Sequence, residues 1–231
     1  MFRFDPSDPY PLVAPATGRP VDSAAGHAAR CAHAAEVDAW LGLDAAGVES
    51  EISREARERG TWAGHQAWVD LPVQTLLTPY TEIRQMLHHV APESDGMVVD
   101  LGAGYGRMAF VLAAHHPGVR FLGYELVGAR VREGRRVLAA HGLDPECLLQ
   151  ADLSAADFRP VQARVYFIYD FGTREAIAKA LADLRGIARA RPITVIGRGR
   201  SSRDAIERAE PWLSQVVEPE HFGNWSVYRS G

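Results

Sequence analysis

The run Val98-Val99-Asp100-Leu101-Gly102-Ala103-Gly104-Tyr105-Gly106-Arg107 is the most informative stretch of the chain. A short apolar segment with the composition of a buried strand runs into three alternating glycines and then into a helical pattern. Glycine is needed where a chain turns sharply, and where a ligand must approach the backbone with no Cβ in the way. A tight strand-to-helix turn needs no ligand, so the loop taken alone admits both readings. Its spacing is GxGxG behind an acid rather than GxGxxG. Arg107 stands where a dinucleotide-binding turn has its third glycine. Asp100 would repel a pyrophosphate and suits a cationic ligand, such as one carrying an amino group and a sulfonium.

Outward from this loop, short apolar segments alternate with amphipathic ones. Strands are expected at 97–101, 120–125, 147–150, 164–169, 193–196 and 225–229. Helices are expected at 107–115, 128–141, 174–188 and 202–210. The helix at 107–115 turns Met108, Val111 and Leu112 inward, and the one at 128–141 has an arginine-rich outer face. Continuous apolar strands joined by helices predict an α/β chain, with a parallel sheet covered on both faces. Ligands bind such sheets at the carboxyl ends of the strands. Upstream, Thr78-Pro79 predicts a helix start, with a hydroxyl cap followed by proline. Ile83, Met86, Leu87 and Val90 mark one face of that helix. Residues 24–43 and 51–59 predict two more helices, the second a solvated one ending at Gly60. The five prolines among residues 1–20 predict extended chain. Trp62 and Trp68 are expected to anchor the segment between to another surface. Residues 1–77 thus read as an extended and helical arm, and 78–231 as the main domain.

Two acids follow the glycine loop at strand ends. Glu125 closes Phe121-Leu122-Gly123-Tyr124-Glu125, nineteen residues past Gly106, where an acid can accept both hydroxyls of a ribose. Asp152, in Ala151-Asp152-Leu153, follows the third strand and can accept from an adenine amino group; a turn aspartate beside Ser154 is its structural alternative. Together these residues resemble the class I S-adenosylmethionine-dependent methyltransferases over roughly 78–231. The resemblance implies a Rossmann-like, seven-stranded, mostly parallel sheet with helices on both faces, and 225–229 as its antiparallel strand. It implies S-adenosyl-L-methionine as cofactor. Asp100, Gly102, Gly104 and Gly106 would face its methionine end, Glu125 its ribose, and Asp152 with Leu153 its adenine.

The fourth strand ends Tyr169-Asp170-Phe171-Gly172, where that family places the group that meets the methyl acceptor. Asp170 could hold or deprotonate an amine or hydroxyl, and Phe171 could pack on the donor methyl or on a cationic acceptor. The structural alternative makes Phe171 core and Asp170 a cap of the helix near Arg174. Both prolines of the nucleic-acid amino-methyltransferase quartet are missing. Tyr80-Thr81-Glu82 ahead of the glycine strand is similar to histone lysine methyltransferases of the disruptor-of-telomeric-silencing type, and to c-subunit lysine methyltransferases of ATP synthase. There Tyr80 and Glu82 would cover the cofactor, although Thr81 replaces the family's glycine and Ile83 its threonine. Glu82 also reads as an ordinary first-turn acid favoured by the helix dipole. A protein or peptide amine is the first acceptor class, and a small-molecule nitrogen or oxygen the second. A cofactor-binding module without turnover is the third reading.

Composition narrows the field. The chain has 231 residues, 47% of them hydrophobic, with 25 basic against 29 acidic and a net charge of −4. That size and apolar share build a core. Charge of this kind does not favour a nucleic-acid partner. Nearly all the basic residues are arginine, Lys179 being the only lysine, as GC-rich genomes encode. Cys31 and Cys147 form no CxxC pair, so neither a disulfide framework nor a cysteine zinc site is expected. The adjacent pairs His88-His89 and His115-His116 point different ways on a helix and make no metal site. Gly197-Arg198-Gly199-Arg200-Ser201-Ser202-Arg203 reads as a solvated basic loop, with an acidic substrate or phosphate as the alternative. No apolar leader or membrane segment is visible, so a cytoplasmic protein is the expectation.

Overall fold

The computed structural model describes residues 24–59 and 72–231. The proline-rich start, Trp62 and Trp68 lie outside the described residues. The first helices are α1 (Ala24–Leu41), α2 (Ala45–Arg59), α3 (Val73–Leu76) and α4 (Tyr80–Val90). After them come β1 (Met97–Leu101), α5 (Arg107–His115), β2 (Arg120–Glu125), α6 (Gly128–Ala140), β3 (Leu148–Gln150) and β4 (Val165–Tyr169). The chain closes with α7 (Arg174–Ala188), β5 (Thr194–Arg198), α8 (Arg200–Ala209), β6 (Glu220–Phe222) and β7 (Trp225–Arg229).

The seven strands form one sheet in the order β3-β2-β1-β4-β5-β7-β6. Neighbours from β3 to β5 pair in parallel, while β7 runs antiparallel between β5 and β6. The strand order reverses between β1 and β4. Crossovers leave the sheet on opposite faces there, and a crevice opens at the carboxyl ends.

The strands are apolar throughout because both faces are buried. Val98, Val165, Phe167, Ile196 and Val227 pack toward the helices α4, α5 and α6. Their neighbours Val99, Leu101, Tyr166, Ile168, Val195 and Tyr228 pack toward α7 and α8. This is the two-residue alternation of a strand with no solvent face. The N-terminal helices join the first layer. Ala34, Val37, Leu41 and Leu43 share a core with Met86, Met108 and Phe110. They therefore cover the side of the sheet that carries the glycine loop.

Several local expectations needed correction. The first turn of α4 closes on the Pro79 carbonyl, which accepts from Glu82 and Ile83 N–H, and no side chain caps it. The Thr78 carbonyl is instead taken by Arg107 Nη1 at 3.1 Å. The arginine face of α6 is not wholly outward, since Arg130 is buried with Val131, Gly134 and Val137. Residues 145–147 form a 3-10 turn, so β3 begins at Leu148. β6 has no sequence signature, because three edge residues, the middle one exposed, carry no periodic signal. Both cysteines are free and half-buried. Among the described residues no helix is long and apolar enough to cross a membrane. No group of three His, Cys, Asp or Glu there could hold a metal ion.

Candidate functional site

A cavity of about 270 Å³ opens at the carboxyl ends of the strands, lined by Gly102, Gly104, Glu125, Asp152, Asp170 and Phe171 among others. Leu76, Leu77 and Thr75 close it from the N-terminal side. The glycine loop forms its floor. Gly102 adopts φ +91°, and a Cβ on it would lie 2.6 Å from the Cβ of Phe171. Only glycine lets β1 and the turn after β4 meet this closely. The Gly102 and Ala103 N–H groups both donate to the Tyr124 carbonyl at 2.9 Å, tying the loop to the end of β2.

Glu125 is buried at the end of β2 and held from the backbone. Its Oε2 accepts from Gly104 N–H and its Oε1 from Val127 N–H, each at 2.9 Å. Arg130 Nη1 lies 3.6 Å from Oε1, which is charge contact rather than a hydrogen bond. The carboxylate is thus fixed in direction while it lines the cavity. Asp152 sits across from it with Oδ1 accepting from both the N–H and the hydroxyl of Ser154, at 2.9 and 2.6 Å. This is the turn arrangement expected as its structural alternative, formed in the cavity wall. Leu153 beside it is buried and lines the same cavity.

Asp100 does not line this cavity. It faces a narrower recess of about 40 Å³ behind the loop, which shares Leu77, Gly102, Gly104 and Tyr169 with the larger one and adds Arg107 and Arg198. Burial pushes its carboxyl up to about 7, with the negative charge of Glu125 adding to the effect. Such a carboxylate gains strongly from a cation that enters the recess. Gly106 lines neither cavity. Its φ of +75° makes the turn into α5, packed near Leu138 and Leu148.

At the end of β4, Asp170 and Phe171 both reach the cavity. Asp170 has φ +26°, in the left-handed region that few non-glycine residues adopt. Its carboxylate accepts from Ser202 N–H at 2.7 Å and Ser201 N–H at 3.3 Å, and its own N–H donates to Ser202 Oγ at 2.8 Å. It therefore caps α8. The helix at Arg174 is capped instead by Thr173, whose Oγ1 accepts from Ala176 N–H.

Tyr80 and Glu82 line neither cavity. The Tyr80 hydroxyl donates to Asp38 Oδ1 at 2.8 Å, and its ring stacks under Arg107 at 4.9 Å. Glu82 is fully buried, with Oε2 accepting from Arg198 Nη2 at 3.0 Å. Arg198 in turn lies over the Tyr169 ring at 4.0 Å. The expected solvated loop thus begins with a buried arginine that braces the ends of β4 and β5.

Sequence reading missed the acids that the N-terminal helices supply. Asp38 of α1 pairs with the Arg107 guanidinium at both of its oxygens. Glu49 of α2 pairs bidentately with Arg130, at 2.7 and 2.9 Å, and accepts from the Tyr105 hydroxyl at 2.7 Å. Arg130 was legible in principle, since it shares the inward stripe of α6 with Gly134 and Val137 at i, i+4 and i+7. Asp38 and Glu49 lie in segments whose partners are far along the chain, and no local pattern marks them.

No protein-family model matches the chain. It is 32% identical to the ribosomal RNA small subunit methyltransferase C of Cronobacter sakazakii over 102 residues, 42% of this chain and 30% of that protein. The crystal structure of TrmN from Thermus thermophilus superposes with a TM-score of 0.50 at 15% identity, over 66% of this chain and 48% of that one. An RNA methyltransferase from Salinibacter ruber, solved with S-adenosyl-L-homocysteine, gives a TM-score of 0.46 at 23% identity, over 66% and 91%. The chain spans less than half the length of the first two. With the sheet order and its inserted antiparallel strand, the fold is that of the class I S-adenosylmethionine-dependent methyltransferases.

Proposed function

We propose that the chain is an S-adenosylmethionine-dependent methyltransferase, with residues 1–77 as an arm on a catalytic domain of residues 78–231. The observation that carries this reading is the convergence of the glycine loop, Glu125 and Asp152 on one cavity at the strand switch point. The residues fit such a cofactor. The loop approaches the cavity as bare backbone, Glu125 presents a fixed carboxylate, and Asp100 gains from a cation. In this reading Glu125 takes the ribose hydroxyls, Asp152 and Leu153 the adenine, and Asp100 with Gly102 and Gly104 the amino-acid end. Gly106 serves the turn.

When bound, the cofactor supplies a methyl group on a sulfonium, already activated toward an acceptor lone pair. The chain then has to align acceptor and donor and exclude water. Leu76, Leu77 and Phe171 give the cavity its apolar wall, and Phe171 is the candidate to touch the reacting groups. Asp170 carries two N–H bonds to α8, so its proposed part is to hold the turn that presents Phe171. Tyr80 and Glu82 support the loop from behind through Asp38, Arg107 and Arg198.

For the acceptor we place RNA ahead of a protein or peptide amine. The amine reading rests on Tyr80 and Glu82, and these line neither cavity, the Tyr80 hydroxyl going to Asp38 and Glu82 Oε2 to Arg198. The RNA reading is supported by similarity to a protein named for ribosomal RNA methylation. Incubation with methyl-labelled S-adenosylmethionine and, separately, ribosomal RNA, mixed peptides and a small-molecule extract decides among them. Label in RNA is the expected result. Label confined to peptide or small molecules restores those acceptors. Donor binding without label in any fraction makes the chain a cofactor-binding module.

A further inference from the structure

The N-terminal helices reach the donor cavity through a chain of buried charges. Arg130, in the cavity wall, is forked onto Glu49 of α2 through Nε and Nη2, and its remaining Nη1 stands 3.6 Å from Glu125. Glu49, Arg130 and Glu125 are all buried. The same Glu49 Oε1 accepts from Tyr105, which lies between Gly104 and Gly106 in the glycine loop. One carboxylate from outside the sheet therefore holds both a loop side chain and the cation beside the ribose acid.

A buried guanidinium must have an anionic partner. With Glu49 present, Arg130 has a bidentate anionic partner and meets Glu125 only by charge. Both Glu125 oxygens then keep their backbone donors and their direction into the cavity. Without Glu49, Glu125 is the remaining acid paired with Arg130 among the described residues, and Arg130 gains by closing the 3.6 Å gap onto it. That closure would draw the carboxylate off its aim and spend a lone pair that a ligand hydroxyl would use. Burial opposes the charged form of Arg130, yet its bond to Glu49 and the charges of Glu125 and Glu49 hold its pKa up. The cation therefore persists at any working pH.

We infer that Glu49 is a positioning residue for donor binding: it keeps Arg130 off Glu125 and steadies the glycine loop through Tyr105, so that docking of α2 and donor affinity are coupled. The inference rests on the donor reading proposed above. Calorimetric titration with S-adenosylhomocysteine on the full chain tests it, with thermal melting of each variant alongside. Glu49→Gln is expected to weaken binding on the order of tenfold. The distinguishing readout is the double variant Glu49→Gln with Arg130→Met. Removing the competing cation should restore most of the affinity that the single variant lost, whereas damage that is merely structural would deepen. Should Glu49→Gln fail to fold, Glu49→Asp keeps the charge but shortens the reach, and it should still bind more weakly than the wild type.

Wild-type affinity in a folded Glu49→Gln or Glu49→Asp variant overturns the inference. So does a double variant weaker than Glu49→Gln. If the wild-type chain itself binds no S-adenosylhomocysteine, the donor reading fails and takes the inference with it. Wild-type binding that Glu49 substitutions leave untouched defeats the inference alone.

Discussion

Asp100 shows how a single group can couple ligand and proton. Its carboxyl is pushed up to about 7 by burial first and by Glu125 second. The unfolded chain releases this proton near pH 4. Between about pH 4 and pH 7 the folded state holds the proton that the unfolded state has lost, so this group's contribution to stability falls as pH rises. Asp100→Asn removes that penalty. It should melt higher than the wild type at pH 8 and show little gain at pH 4 by calorimetry. The ligand side runs the other way, because only the ionised carboxylate attracts an ammonium. Affinity for S-adenosylhomocysteine should rise on the order of tenfold from pH 6 to pH 8, as the ionised fraction grows. The asparagine variant should lose that dependence, and a flat profile in the wild type would detach Asp100 from the amino-acid end.

Among the elements, α8 depends on a residue far from it in sequence. Its first N–H groups have no cap from Gly199 and are met by Asp170 across the sheet edge. Gly199 must be glycine there, since a Cβ would lie 2.3 Å from Asp170 Oδ2 at a φ of +80°. Losing a helix cap costs about 1–2 kcal/mol. A change of that size in a domain of this length lowers the melting temperature by roughly 2–8 °C. Asp170→Ala should show that loss by thermal melting, with turnover reduced and donor affinity nearly unchanged. An unaltered melting temperature would mean that the cap contributes nothing. This double use also explains why Asp170 was hard to read from sequence. Its place at the end of β4 was legible from the strand alternation, but its partners Ser201 and Ser202 come from the next strand's exit. Strand and helix bounds from residue 97 to 188 followed the apolar periods closely, because those periods report burial directly. Tyr80 and Glu82 show the opposite case. Their spacing resembles a cofactor loop, yet the Tyr80 hydroxyl goes to Asp38 and Glu82 Oε2 to Arg198, and no local pattern carries that information.

At the scale of the whole molecule, the sheet order brings the ends of β1, β2 and β4 to one crevice, and Thr75, Leu76 and Leu77 close one side of it. The sequence showed the order of strands and helices but not how Asp38 and Glu49 would tie the N-terminal helices to the glycine loop and its exit. Those ties are long-range ion pairs, visible only once the chain is folded. In the proposed function this crevice takes S-adenosylmethionine through the glycine loop and Glu125. Calorimetric titration of the wild type and Glu125→Ala with S-adenosylhomocysteine and with NADH tests it most directly. Each lost charge-assisted hydrogen bond is worth roughly 1.5–3 kcal/mol, so the variant should bind S-adenosylhomocysteine on the order of tenfold to a hundredfold more weakly, and neither protein should bind NADH. Tight NADH binding with no response to S-adenosylhomocysteine, or equal affinity in a folded Glu125→Ala variant, would contradict it.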